Sequence, residues 1–150
     1  MDIAALIPPE RIALDLRAKD KAALLRDLAQ RAEAAGAGVP ASIVATALLA
    51  REQLGSTGLG KGFALPHARL EGLSGCFGLF CRLARPIDYA AIDDQKVDIV
   101  VLLLTPADAD ASHLAALSLV SRRLREGDTI GRLRRAEGVG SVFGMLIQAE

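Results

Sequence analysis

The segment Ile99–Leu104 is an unbroken run of aliphatic residues, preceded by Val97-Asp98 and stopped by Thr105-Pro106-Ala107-Asp108. A strand with one wet face alternates apolar and polar residues. A run like this leaves no face for water, so the strand it forms is covered on both sides. It is also far too short to cross a bilayer, which takes about twenty residues. The rest of the chain must therefore supply apolar helices to both faces of a central strand.

The flanking pattern does so. Ile12–Leu16 alternates as a short strand, and Asp20 is placed to cap a helix with Leu24, Leu25, Leu28 and Ala32 on one stripe, ending near Gly36. Pro40 suits the first turn of a second helix, with Ile43, Val44, Ala47 and Leu48 facing inward. Gly55, Gly58, Gly60 and Gly62 form a loop ahead of a strand that ends at Pro66. A strand through Cys76–Leu83, a turn at Arg85-Pro86 and a further strand over Ile87–Ile92 lead to the central one. A helix over Ser112–Arg125 then buries Leu114, Leu117, Val120 and Leu124. Gly127-Asp128 breaks it, and helical pieces follow at Thr129–Arg135 and Val139–Gln148. The apolar piece Val142–Ile147 is suited to docking on the core or on a partner. With no repeat or linker, residues 1–150 read as a single α/β domain, a sandwich of four to five strands flanked by helices.

Composition narrows the function. Lysine and arginine balance aspartate and glutamate at 18 each, so nothing favours nucleic acid or an anionic membrane as main partner. No basic region precedes Ile3–Ile7, which argues against a secretory signal and makes the cytoplasm the expected compartment. Cys76 and Cys81 are an odd number of residues apart, on opposite faces of a strand. They fit neither a disulfide nor a zinc site and read as reduced thiols.

His67 is one of two histidines, and it follows Pro66 at the end of a rigid element. An imidazole there can act as nucleophile, proton carrier or metal ligand, or simply cap a strand. Arg51 falls four residues after Ala47 on the apolar stripe of its helix, where it must snorkel, pair with a carboxylate, or reach into a polar cavity and grip phosphate. His113 opens the long helix and shares the face of Leu117, Val120 and Leu124, near the amides that favour anions. Ser56 and Thr57 offer hydroxyls in the glycine loop. That loop lacks the nucleotide-loop spacing, because Gly62 follows Lys61 where serine or threonine is needed. Together, a nucleophilic imidazole, an inward arginine and a second histidine suit holding a phosphoryl group on nitrogen. No magnesium ligand set accompanies them, and neither a metal nor another cofactor is expected.

Arg51-Glu52-Gln53-Leu54-Gly55-Ser56-Thr57-Gly58-Leu59-Gly60, with Ala64-Leu65-Pro66-His67-Ala68, resembles the active-site signature of phosphotransferase-system enzyme IIA domains of the fructose/mannitol and nitrogen-regulatory class. The likeness continues through Pro86-Ile87-Asp88, Ala91-Ile92-Asp93, Leu103-Leu104-Thr105-Pro106 and Ser112-His113-Leu114. Phe63 departs from it, standing where the family usually has a smaller aliphatic residue.

The resemblance implies a mixed sheet flanked by helices, with His67 as the phosphorylated residue. It implies Arg51 and His113 as the neighbours that steady the phosphoryl group, with Thr57 close by. It also implies an HPr-like carrier as donor. The chain looks most like the stand-alone nitrogen-regulatory type, whose phosphorylation state is read by partners such as sensor kinases and potassium-handling proteins. A sugar-transport IIA would instead hand its phosphate to a IIB component. An interaction module without phosphotransfer is a reading from another class. Dimerisation is open.

Overall fold

The computed structural model describes residues 1–148. Strands β1 (Ile12–Leu16), β2 (Gly58–Gly60), β3 (Phe63–Ala64), β4 (His67–Leu70), β5 (Phe77–Ile87) and β6 (Val97–Pro106) form one mixed sheet. Its order is β1-β5-β6-β3-β2, with β4 also on β6. β1 runs parallel to β5, β5 antiparallel to β6, β6 parallel to both β3 and β4, and β2 antiparallel to β3. The sheet is mixed as expected but has six strands in place of four or five. The added ones are short: β2, from the glycine-rich segment, which does more than loop, and β4, which starts just after Pro66.

The aliphatic run is the centre of this sheet, and its two faces enter different cores. Val100, Leu102 and Leu104 meet helices α2 (Lys21–Ala34) and α3 (Ala41–Gln53) through Leu24, Leu28, Val44 and Leu48. Ile99, Val101 and Leu103 meet α4 (Asp110–Arg125), α5 (Thr129–Arg135) and α6 (Val139–Ile147) through Ala116, Val120, Leu133 and Val142. That is the two-residue period of a strand buried on both sides. Cys81 joins the first core and Cys76 packs against the second, both as free thiols.

Most boundaries follow the sequence chemistry. The Asp20 side chain accepts from the Ala23 N–H at 2.8 Å, and the turn after α2 closes through Gly36 with Ala37 N–H donating to the Ala32 carbonyl. α6 docks on the core through Val142 and Leu146. A four-residue helix α1 (Ile3–Leu6), capped by Asp2, packs so tightly on Gly78 that a Cβ there would lie 2.8 Å from Ile7.

Four expectations need correction. Arg85-Pro86 is not a turn: β5 runs through it, in an irregularity between Arg82 and Ile87 where proline is not asked to donate to the ladder. Consequently no strand covers Ile87–Ile92. Ile43 is 53% exposed because α3 buries only the Val44–Leu48 line, and Leu114 is 66% exposed because α4 faces inward along His113, Ala116 and Val120. One residue off such a line is about 100° around the helix. Finally, the strand before His67 ends at Ala64 rather than at Pro66, and His67 itself opens β4. Pro66 sits between two strands that pair with the same partner, its carbonyl accepting from Leu103 N–H at 3.0 Å.

Candidate functional site

The two histidines and Arg51 converge. β4 presents His67 beside β6, and α4, entered directly from the end of β6, turns His113 toward it. The ring centroids are 5.5 Å apart. Arg51, in the last turn of α3, donates from Nε to His67 Nε2 at 3.3 Å and from a terminal nitrogen to the Gly55 carbonyl at 3.0 Å. Among the described residues Arg51 has no carboxylate partner, so the ion-pair alternative drops out. Arg51 helps line a cleft of about 220 Å³, with Ser56, Thr57, Leu65, His67 and Leu117 among others.

The two ring nitrogens of His67 have different surroundings. Nδ1 lies 2.8 Å from the Leu65 carbonyl, an acceptor only, so Nδ1 carries the proton and donates. Nε2 therefore keeps its lone pair and points at Arg51 and the cleft. Burial holds the imidazole below its ordinary value of 6.5, and the Arg51 charge pushes the same way against the Leu65 carbonyl. A neutral ring with a fixed tautomer and its lone pair on Nε2 is a nucleophile in its reactive form.

His113 is 8% exposed, and its Nδ1 lies 2.6 Å from the hydroxyl of fully buried Thr105. Burial first, then the neighbouring His67 and Arg69, lowers its pKa. If Thr105 donates to Nδ1, the far nitrogen carries the proton and becomes a donor facing whatever His67 holds. The sequence reading did not single out Thr105.

Ser56 and Thr57 line the cleft, but their hydroxyls are already engaged. Ser56 Oγ donates to the Tyr89 carbonyl at 3.2 Å and accepts from Gly58 N–H at 3.0 Å. Thr57 is 2% exposed. Its hydroxyl donates to Glu52, Tyr89 Oη lies 3.0 Å away, and its N–H donates to Glu52 Oε1 at 3.0 Å. Both therefore stand in the lining expected of phosphoryl-binding groups, with hydroxyls that also hold the loop together.

Glu52 is the hub that residue-by-residue reading passed over. Its carboxylate, 7% exposed, pairs with Lys21 Nζ at 2.7 Å and accepts from Tyr89 Oη at 3.3 Å. Burial alone would raise its pKa; Lys21 and the Thr57 donors outweigh that and hold it below the usual carboxylate value. Burial, then the charge of Glu52, pushes the Tyr89 phenol well up, so it remains a donor. The signal was there in part: Glu52 directly follows Arg51, and Tyr89 is the only tyrosine. Gly58 completes the loop by close approach, since a Cβ there would lie 2.7 Å from the Ala91 Cβ.

A neutral histidine with its lone pair beside an arginine and a second histidine, at one side of a mixed sheet, has the chemistry to hold a phosphoryl group on nitrogen. Residues 5–149 match the profile of the family described as phosphoenolpyruvate-dependent sugar phosphotransferase system, EIIA 2, and the chain belongs to that family. It is similar to a nitrogen regulatory protein of Bradyrhizobium diazoefficiens, 42% identical over 97% of this chain and 95% of the relative. It is also similar to a fructose-specific EIIA component of Haloferax volcanii, 33% identical over 98% and 96%. Among solved structures, nitrogen regulatory protein IIA-Ntr from Neisseria meningitidis superposes with a TM-score of 0.90 at 30% identity, covering 96% of this chain and 98% of that one. No helix among the described residues is long and apolar enough to cross a membrane.

Proposed function

We propose that this chain, acting as a single domain in the cytoplasm, accepts a phosphoryl group on His67 Nε2 from an HPr-like carrier and signals through its phosphorylation state. The observation that carries the reading is the hydrogen bond from His67 Nδ1 to the Leu65 carbonyl, which leaves Nε2 as the ring's acceptor, met here by the long 3.3 Å bond from Arg51 Nε, with the His113 ring 5.5 Å away. In the step, the Nε2 lone pair forms a bond to phosphorus while the bond from phosphorus to the donor's imidazole nitrogen breaks. The donor ring, already protonated on its other nitrogen, leaves as neutral imidazole, and the positive charge passes to the His67 ring, whose retained Nδ1–H donates to the Leu65 carbonyl. Arg51 and the distal N–H of His113 offset charge on the equatorial oxygens. Thr57 and Ser56 line the cleft and fix the loop. Regulatory targets, such as a sensor kinase or a potassium-handling protein, are favoured by the similarity to nitrogen regulatory proteins.

The second reading is delivery of the phosphoryl group to a separate IIB component for sugar uptake, favoured by the fructose-specific relative. Phosphoenolpyruvate, enzyme I and an HPr-like carrier, mixed with the protein, test the first step. Acid-labile mass gain mapped to His67, absent in His67→Ala, is expected. No gain with an active cognate carrier would refute phosphotransfer and leave an interaction module. Onward transfer to an added IIB component separates the two readings.

A further inference from the structure

Away from the histidine cleft, a groove of about 590 Å³ is ringed by Arg17, Lys19, Arg85 and Lys96, with Asp88 its one acidic residue. The groove lies where β1 and β5 end and β6 begins, the neighbouring rungs being Leu16↔Leu83 and Ile87↔Val97. His67 pairs with Leu103, six residues further along β6, which is about 20 Å at the rise of a strand. The two sites are therefore separate.

Backbone irregularities bring the cations together. On β1 the register shifts between Ala13 and Leu16, with Asp15 at φ 59°, a conformation that side chains other than glycine seldom adopt. On β5 the register shifts between Arg82 and Ile87, and Arg85 stands out from that stretch. Irregularities of this kind re-aim side chains and recur beside binding sites. Lys19 comes from the turn into α2, and Lys96 from the approach to β6.

All four cations are exposed, and none has an ion-pair or hydrogen-bond partner among the described residues. The lining sums to four positive charges less one, a formal +3, in a chain whose net charge is zero. Asp88 is itself engaged, accepting from Ala90 N–H at 3.0 Å. Like charges gathered in a concave surface focus the potential and raise the local concentration of anions. The volume is that of a small-molecule site, typically ~300–1,000 Å³, whereas an acidic protein segment would call for a longer strip. Two arginines supply planar forks and two lysines point charges, the mixture that grips clustered phosphate oxygens.

We infer that this groove binds a small soluble polyphosphate, a ligand with two or more adjacent phosphate groups and a charge near that of pyrophosphate. Calorimetric titration of the full chain in magnesium-free buffer tests it, with pyrophosphate as probe and orthophosphate as comparison. Pyrophosphate should bind one site at least tenfold more tightly than orthophosphate. Arg85→Ser combined with Lys96→Ser should weaken it at least tenfold, and Arg51→Ala should leave it unchanged. Equal weak uptake of both anions, or insensitivity to the double variant, overturns the inference. So does loss on Arg51→Ala, which would place the ligand in the histidine cleft. Binding only to an acidic peptide or to vesicles containing diphosphatidylglycerol would assign the surface to a macromolecule or membrane instead. Should the double variant fold poorly, Lys19→Gln alone is read by the same criterion.

Discussion

Removing the Glu52 carboxylate is the most demanding test of how this site is held. Glu52→Ala leaves Lys21 without its 2.7 Å partner, strips Thr57 N–H and Oγ1 of their acceptor, and frees the Tyr89 hydroxyl. Breaking a buried ion pair from one side costs about 3–5 kcal/mol, because the survivor stays desolvated. Lys21 is 23% exposed and the Thr57 and Tyr89 hydroxyls still bond each other, so the lower end applies. An expected loss near 3 kcal/mol corresponds to a fall in Tm of roughly 6–12 °C for a domain of this size. Urea denaturation and thermal melting followed by circular dichroism measure it. Adding Lys21→Met should recover about 1–3 kcal/mol as coupling, since the double variant no longer strands a charge. A loss under 1 kcal/mol with unchanged m-value, or strict additivity of the two substitutions, would refute the argument that this buried carboxylate anchors the loop.

Three further outcomes follow from the same geometry. Arg51→Lys keeps the charge but loses the simultaneous reach to His67 and the Gly55 carbonyl, and transfer measured by rapid quench should slow by about 10–100-fold with little change in Tm. Thr105→Val removes the hydroxyl that orients His113. It should slow transfer about tenfold and shift the His113 tautomer signature in nitrogen NMR, with Thr105→Ser restoring both. For pH, His67 and His113 are both held below their ordinary 6.5 in the folded chain, so the unfolded chain binds more protons. Their contribution to stability is intact above 6.5 and erodes as pH falls below it toward the folded values. Acceptance of phosphate by His67 should accordingly persist somewhat below pH 6.5 before failing; a transfer profile with its midpoint above 6.5 would contradict the lowered value.

Much of the fold was legible because strong local signals and the tertiary environment agreed. The aliphatic run at Ile99–Leu104 required cover on both faces and received it, and Asp20 and Gly36 bounded α2 by caps that act within one turn. The readings that failed depended on contacts distant in sequence. Pro86 reads as a turn from its own chemistry, yet it lies within β5, where the pairing with β6 is irregular and no donor is required. Gly58–Gly60 reads as loop from composition, yet β3 pairs with it and Ala91 closes over Gly58. Ile43 and Leu114 belong to apolar helices, and which line of each helix turns inward is settled by packing rather than by count.

The candidate site divides along the same line. His67, Arg51 and His113 could be picked out because a histidine after proline, an arginine on an apolar stripe and a histidine at a helix start are each locally unusual. The structure then brings all three together, Arg51 and the His113 ring both beside His67. Glu52, Tyr89, Lys21 and Thr105 show no such local oddity. Glu52 would pass for a surface carboxylate at a helix end, and Tyr89 for a strand aromatic. Their roles exist only once Lys21 of α2, the Thr57 loop and the segment after β5 meet around one carboxylate. The groups proposed to touch phosphate thus announce themselves by residue type. Those that hold them do so by position, and position is what a single sequence encodes least directly. Perturbing Glu52 or Thr105, rather than His67, is therefore what distinguishes a correctly assembled site from a correctly recognised motif.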